Sequence, residues 1–152
     1  MQIAEGRVGR VFLLRLEGGD AIPGCLDDFA REKGIMIGNV FLIGGAIGGA
    51  VVSGPRDSVM LPPEPMQLPL DGAHEIIGVG FIAPDSNGFP RVHMHAALGR
   101  AGHTKTGCVR LGITTWHVGE VVIYEILDVV ASRMTDAATG FELLQVKGDQ
   151  GS

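Results

Sequence analysis

The chain has 152 residues, of which 45% are hydrophobic and 19% charged, and its formal net charge is −5. That length fits one domain, able to bury about two-thirds of its unfolded surface without disulfide staples. The acidic balance excludes a chain-wide basic footprint, so nucleic acid is not the default partner.

Glycine is abundant, at 24 residues, and aromatics make up only 5%. This balance favours bulged strands and tight turns over a helical bundle. Arg7 to Glu17 (RVGRVFLLRLE) alternates and predicts a strand, with Val11, Leu13 and Arg15 on one face and Phe12, Leu14 and Leu16 on the other. Gly18 and Gly19 end it. A helix is expected over 20–33, with Asp20 as N-cap and Pro23 in the first turn. Ile22, Leu26, Phe29 and Ala30 recur there at helical spacing, and Gly34 is a natural stop. The opening MQIAEGRVGRVFLLRLEGG holds only a short apolar run broken by Arg15, so no signal peptide is expected.

Residues Ile35 to Val52 carry no charge over 18 positions, the length of a short membrane span. Five glycines and Asn39 interrupt the run, so it reads as buried strands near 37–44 and 47–54. Pro55, Pro62, Pro63, Pro65 and Pro69 then exclude central strand or helix and predict an excursion or a sheet edge. Glu75 to Ala83 and Arg91 to Leu98 form a hairpin about the turn signal Asp85-Ser86-Asn87-Gly88. Strands near 107–115 and 118–129 follow, then a polar segment from Arg133 to Gly140 and a last apolar piece, Phe141 to Val146. The order predicts an α+β domain with a mainly antiparallel sheet.

His93 and His95 stand two apart in a strand, so both imidazoles project from one face. His103 follows after a short connection and can return a third imidazole to the same spot. Three neutral histidines with an open fourth position suit a divalent metal, zinc being the expected ion. Glu75 and Glu120 are candidate catalytic carboxylates, as general acid or base or as outer partners of the metal. His74 and His117 lack a partner at suitable spacing and read as surface or hydrogen-bonded structural histidines. Arg133 and Asp136 suggest an ion pair fixing a turn, with anion binding as the alternative. Cys25 and Cys108 have no CxxC partner and read as reduced, inert thiols in a reducing, cytoplasmic compartment. The scattered charges of Arg7 with Arg10, and of Arg100, Lys105 and Arg110, read as solvated faces.

Several strings together resemble the plants-and-prokaryotes conserved (PPC) domain family, also described as pea-DNA-binding-protein-like. They are RLEGGDAI with the helix after it, GAIGGAVV, HEIIGVGFIA, RVHMHAALG with the following GH, and RMTDAATGFELL. The likeness covers about residues 8–146 of a single domain spanning 1–152. It implies an α+β fold, a bifurcated sheet or partial barrel with packed helices. It also implies a homotrimer, with the exposed apolar strands as interface. The implied fold is similar to that of acetolactate decarboxylase, a metal enzyme with a comparable three-histidine site. The family's HxH and GH histidines fall on His93, His95 and His103. Plant relatives carry an AT-hook whose Arg-Gly-Arg-Pro core is absent here, so DNA binding transfers poorly. The expected function is therefore a zinc-binding, trimeric binding and assembly module without a membrane role. The alternative is a metal-dependent lyase or hydrolase acting on a small polar metabolite.

Overall fold

The computed structural model describes residues 1–148; the last four residues of the expected 1–152 domain lie outside the described residues. In chain order the elements are β1 (Arg7–Glu17), β2 (Ala21–Ile22), α1 (Gly24–Lys33), β3 (Gly38–Ile47), β4 (Ala50–Pro55), β5 (Pro65–Pro69), β6 (His74–Pro84), β7 (Pro90–Arg100), β8 (His103–Cys108), β9 (Ile113–Leu127), β10 (Val130–Thr135) and β11 (Glu142–Lys147). Among the described residues, nine strands make one antiparallel sheet in the order β1-β9-β3-β6-β7-β8-β4-β5, with β2 also on β9. β10 and β11 form a separate hairpin. No helix of the described residues is long and apolar enough to cross a membrane.

The expected α+β class with packed helices is corrected by this architecture. Strands take 60% of the described residues and helix 7%, and α1 is the single helix among them. The reason lies in the apolar pattern. Outside α1 the apolar residues mostly alternate, which a sheet can bury on one face and a helix cannot. The uncharged Ile35–Val52 run becomes β3 and β4, the polar segment from Arg133 to Gly140 supplies the end of β10 and the turn after it, and the last apolar piece becomes β11.

Two expected boundaries also move. The helix begins at Gly24, because Ala21 and Ile22 pair with Thr114 and Ile113 as a short strand. Asp20 caps a different group: its carboxylate accepts the Glu17 N–H at 2.9 Å. Gly34 ends the helix as expected, in the left-handed conformation at φ 65°. The strand placed near 107–115 instead starts at His103 and stops at Cys108. Ala101 and Gly102 both take positive φ, 49° and 80°, the backbone of a two-residue hairpin turn. The proline-rich excursion ends in β5, the edge strand beside β4.

The sheet has two unlike faces. Its inner face carries the core, with Val40, Leu42, Ile82, Met94, Leu98, Val121 and Ile123 almost wholly buried. Gly78 and Gly80 leave room for Met94: a Cβ on either would crowd its side chain at 3.1 or 3.2 Å. The opposite, outer face stays apolar yet bare along one row, in which Leu13 pairs Val122, Phe41 pairs both Val122 and Val79, and Val79 pairs His95. Leu13 is 81% exposed, and Phe41 and Val79 are exposed beside it. The β10–β11 hairpin covers the other end of this face, where Ala83 and Ala131 are buried together with Ile37.

α1 grips the first half of β7. Leu26 and Ala30 are fully buried, and Asp27 is buried between them. Its carboxylate accepts the Val92 N–H at 2.7 Å and faces Arg91 Nη1 at 3.2 Å. Burial pushes the Asp27 carboxyl above its usual range, against the opposing pull of the Val92 N–H and Arg91.

Candidate metal centre

Alternation along β7 sends Val92, Met94, Ala96 and Leu98 into the core, so His93 and His95 stand on the outer face. The two-residue turn at Ala101–Gly102 then fixes the register of β8 on β7. Arg100 pairs His103, and five residues back from the turn on β7, and five onward on β8, His95 pairs Cys108. Directly opposed residues of an antiparallel pair share a face, so the Cys108 thiol joins the two imidazoles. β8 ends there, and the chain bends away with the Val109 N–H on the Met94 carbonyl at 3.0 Å.

The donor atoms of His93, His95 and Cys108 lie within 4.8 Å of one another. The two Nε2 atoms approach to 3.2 Å, with ring centroids 5.0 Å apart. Two nitrogens bound to one tetrahedral zinc at about 2.0–2.1 Å stand about 3.3–3.4 Å apart, so the observed spacing fits a shared ion. Both histidines keep solvent-exposed surface while the cysteine is buried. Partial burial lowers the His93 pKa, and the positive charges of Arg133, His95 and Arg110 lower it further. This favours the neutral imidazole, the form that ligates a metal.

Arg133 of β10 belongs to the same neighbourhood. It is 7% exposed, and its Nη2 makes a long hydrogen bond of 3.5 Å to the carbonyl of Phe81, the residue directly opposite His93. Its Nε is buried without a hydrogen-bond partner. The expected Arg133–Asp136 pair does not form: the Asp136 carboxylate instead accepts the Thr139 N–H at 2.9 Å and hydroxyl at 2.7 Å.

His103 lies at the far end of β8, five residues from Cys108, which is about 16 Å along a strand. There it lines an open cleft of about 570 Å³ with His74, Glu75, Arg100 and Trp116. Glu75 therefore sits with His103 and away from the His93–His95 pair. Glu120, on β9, pairs Arg15 and Ile43, three strands from β7 and so about 14 Å across the sheet. His74 is structural: it is 4% exposed, with Nδ1 on the Gly72 carbonyl at 2.9 Å. His117 lies against Trp116, with ring centroids 4.4 Å apart. The inert reading suits Cys25, whose thiol is pushed up to about 11, mainly by burial. Cys108, in contrast, lies with the two imidazoles in the candidate donor group. The signal for Cys108 was the loop from Gly99 to Gly102: read as a two-residue turn, it would have set 95 opposite 108.

Comparison with known proteins supplies the wider frame. The sequence model of the Plants and Prokaryotes Conserved (PCC) domain matches residues 3–127. A metal-containing protein from Archaeoglobus fulgidus is 25% identical in sequence and superposes with a TM-score of 0.82 over 95% of this chain and 99% of that one. A plant- and prokaryote-conserved (PPC) protein from Pyrococcus horikoshii has the same fold, at 23% identity and a TM-score of 0.78 over 94% and 99% of the two chains. The bifunctional protein GlmU of Synechococcus sp. (strain JA-3-3Ab) is 29% identical over 140 residues, covering 91% of this chain and 21% of that protein. The chain thus spans about a fifth of the length of that curated relative.

Proposed function

The chain belongs to the Plants and Prokaryotes Conserved (PCC) domain family, and on that premise we propose that it is a zinc-binding, homotrimeric assembly module with the metal on His93, His95 and Cys108. The observation that carries this reading is the 3.2 Å approach of the two Nε2 atoms beside the Cys108 thiol. Imidazole and thiolate together suit zinc, and three protein donors leave the fourth position for water or another ligand. A bound zinc would supply Lewis acidity or an activated water. The metal-containing neighbour supports the assignment. The trimer is supported by the bare outer face, where Leu13, Phe41, Ile43, Ile77 and Val79 are all exposed in adjoining rows of the sheet. Such a patch is costly to leave in water. Because Val79 pairs His95, the metal would border the subunit interface.

Elemental analysis of the purified protein tests the centre. One zinc per chain is expected, lost in the His93→Ala/His95→Ala double variant and kept in His103→Ala. A wild-type protein that takes up no metal on reconstitution overturns the assignment. Light scattering tests assembly: a mass of three chains is expected, falling to one in Leu13→Glu/Val79→Lys.

A second reading, metal-dependent lyase or hydrolase chemistry on a small polar metabolite, is favoured by the ligand position that three donors leave open. Glu75 and Glu120 lend it no support within one chain, since both lie far from the donor group. Arg7 and Arg10 lend DNA binding no support. Arg7 pairs Asp128 at 2.7 Å and Arg10 pairs Glu125 at 2.7 Å, so these charges are already neutralised.

A further inference from the structure

A buried arginine without an anion is an unusual thing to find beside metal ligands. A charged guanidinium taken out of water is ordinarily paired with a carboxylate or fully hydrogen-bonded. Arg133 is neither. Only one weak hydrogen bond reaches it, at 3.5 Å, and its Nε is unpartnered. Glu142 acts on it through space, but no ion pair to Arg133 forms among the described residues. The unpartnered side chain stands against Phe81, which pairs His93 across the sheet.

Charge balance points the same way. A dication held by two neutral imidazoles and one thiolate keeps a net positive charge. Arg133 adds a second positive charge, and Arg110 raises the local potential at His93 further. No carboxylate joins the donor group among the described residues. An anionic ligand would neutralise the excess charge and satisfy the Nε–H at once. A guanidinium N–H donates a strong charge-assisted hydrogen bond to one carboxylate oxygen and leaves the other free to reach a metal.

We propose that Arg133 and the metal form one binding site for a small carboxylate, with one carboxylate oxygen in the open coordination position and the other on the guanidinium of Arg133. The proposal rests on the metal centre assigned above and gives that centre its ligand class. Arg133 is here a binding residue. His93, His95 and Cys108 hold the ion, and Asp27 holds the strand that carries the histidines.

The test uses the full chain loaded with cobalt(II), whose visible bands report the ligand set directly. Acetate is titrated at constant ionic strength, with chloride as the control anion. The expected result is a saturable change in the bands of the wild type. Its dissociation constant should rise about ten- to hundredfold in Arg133→Gln, the range of a lost charged hydrogen bond, with cobalt content unchanged. Arg133→Lys keeps the buried charge and loses the Nε–H and the fixed planar donors, so it should bind acetate with intermediate strength. It also serves as the folded comparison if Arg133→Gln is unstable. Equal acetate affinity in wild type and Arg133→Lys or Arg133→Gln overturns the role of Arg133. A cobalt-loaded wild type that is blind to acetate overturns the carboxylate site while leaving the metal centre standing. Failure to take up cobalt at all sinks the metal centre, and the carboxylate site with it.

Discussion

The two ends of the β7–β8 hairpin hold similar residues and do different things with them. At the open end His93, His95 and Cys108 turn their donor atoms to one point. At the turn end His103, His74 and Glu75 line a broad cleft without forming such a group. The difference is one of register and anchoring. At the open end β8 leaves β7 after Cys108, and α1 takes over the freed edge through Asp27. At the turn end the strands stay paired, and an exposed ion pair, Lys105 to Asp71 at 3.0 Å, spans the surface. The electrostatics diverge too. Burial raises the Asp27 carboxyl, while the hydrogen bond from Lys105 holds the Asp71 carboxyl below its usual range. Here histidines close in sequence gather into a possible donor group only at the end where the sheet also places a third donor beside them.

The largest effect that would break this contrast is on metal affinity. His95→Ala should weaken zinc binding by about a hundredfold or more, beyond the loss from an outer partner, in competition with a chromophoric chelator. His103→Ala should leave it unchanged. A similar loss from both would mean that the two ends share one site. In the cobalt-loaded protein Cys108→Ser should abolish the thiolate charge-transfer band; its survival would remove Cys108 from the ligand set.

Next in size is the anchor. Asp27→Ala leaves the Val92 N–H unpaired in a buried place and should cost about 2–3 kcal/mol in urea unfolding. Asp27→Asn keeps an acceptor and should cost less. Equal losses would show that the charge facing Arg91 matters more than the hydrogen bond to Val92.

The pH dependence sharpens the same comparison. Folding raises the Asp27 pKa, so the native state binds the extra proton between the ordinary value of 3.8 and the raised one. This residue's contribution to stability therefore falls as pH rises through that window, and Asp27→Asn should remove that slope from the stability curve. Asp71 acts in the opposite sense. Its lowered pKa contributes stability above 3.8 that is lost as pH falls. The smallest effect belongs here: Lys105→Ala should leave the urea midpoint almost unchanged, as is usual for exposed ion pairs. A larger loss would mean that the turn end is anchored as firmly as the site end.

Much of the fold could be read from local pattern. β1, the β6–β7 hairpin and the glycine stop of α1 stand where alternation and turn chemistry put them. The β8 boundaries could not be read so easily. Ala101 adopts a positive φ that alanine rarely takes, so the tight turn was hidden behind an unremarkable residue. The C-terminal hairpin was obscured because Arg133 is an inward-facing charge on a short strand, where alternation predicts an apolar side chain.

The sequence by itself determined the periodicities, and with them the placing of His93 and His95 on one face of a strand. Covalent geometry settles that much, since side chains alternate whatever the strand pairs with. Only the tertiary structure decided that Cys108 stands beside His95, that His103 lies at the other end, and that Arg133 is buried against the strand pair that carries His93. Those are relations between strands, and they depend on where each turn closes and which residues the closing turn sets opposite one another.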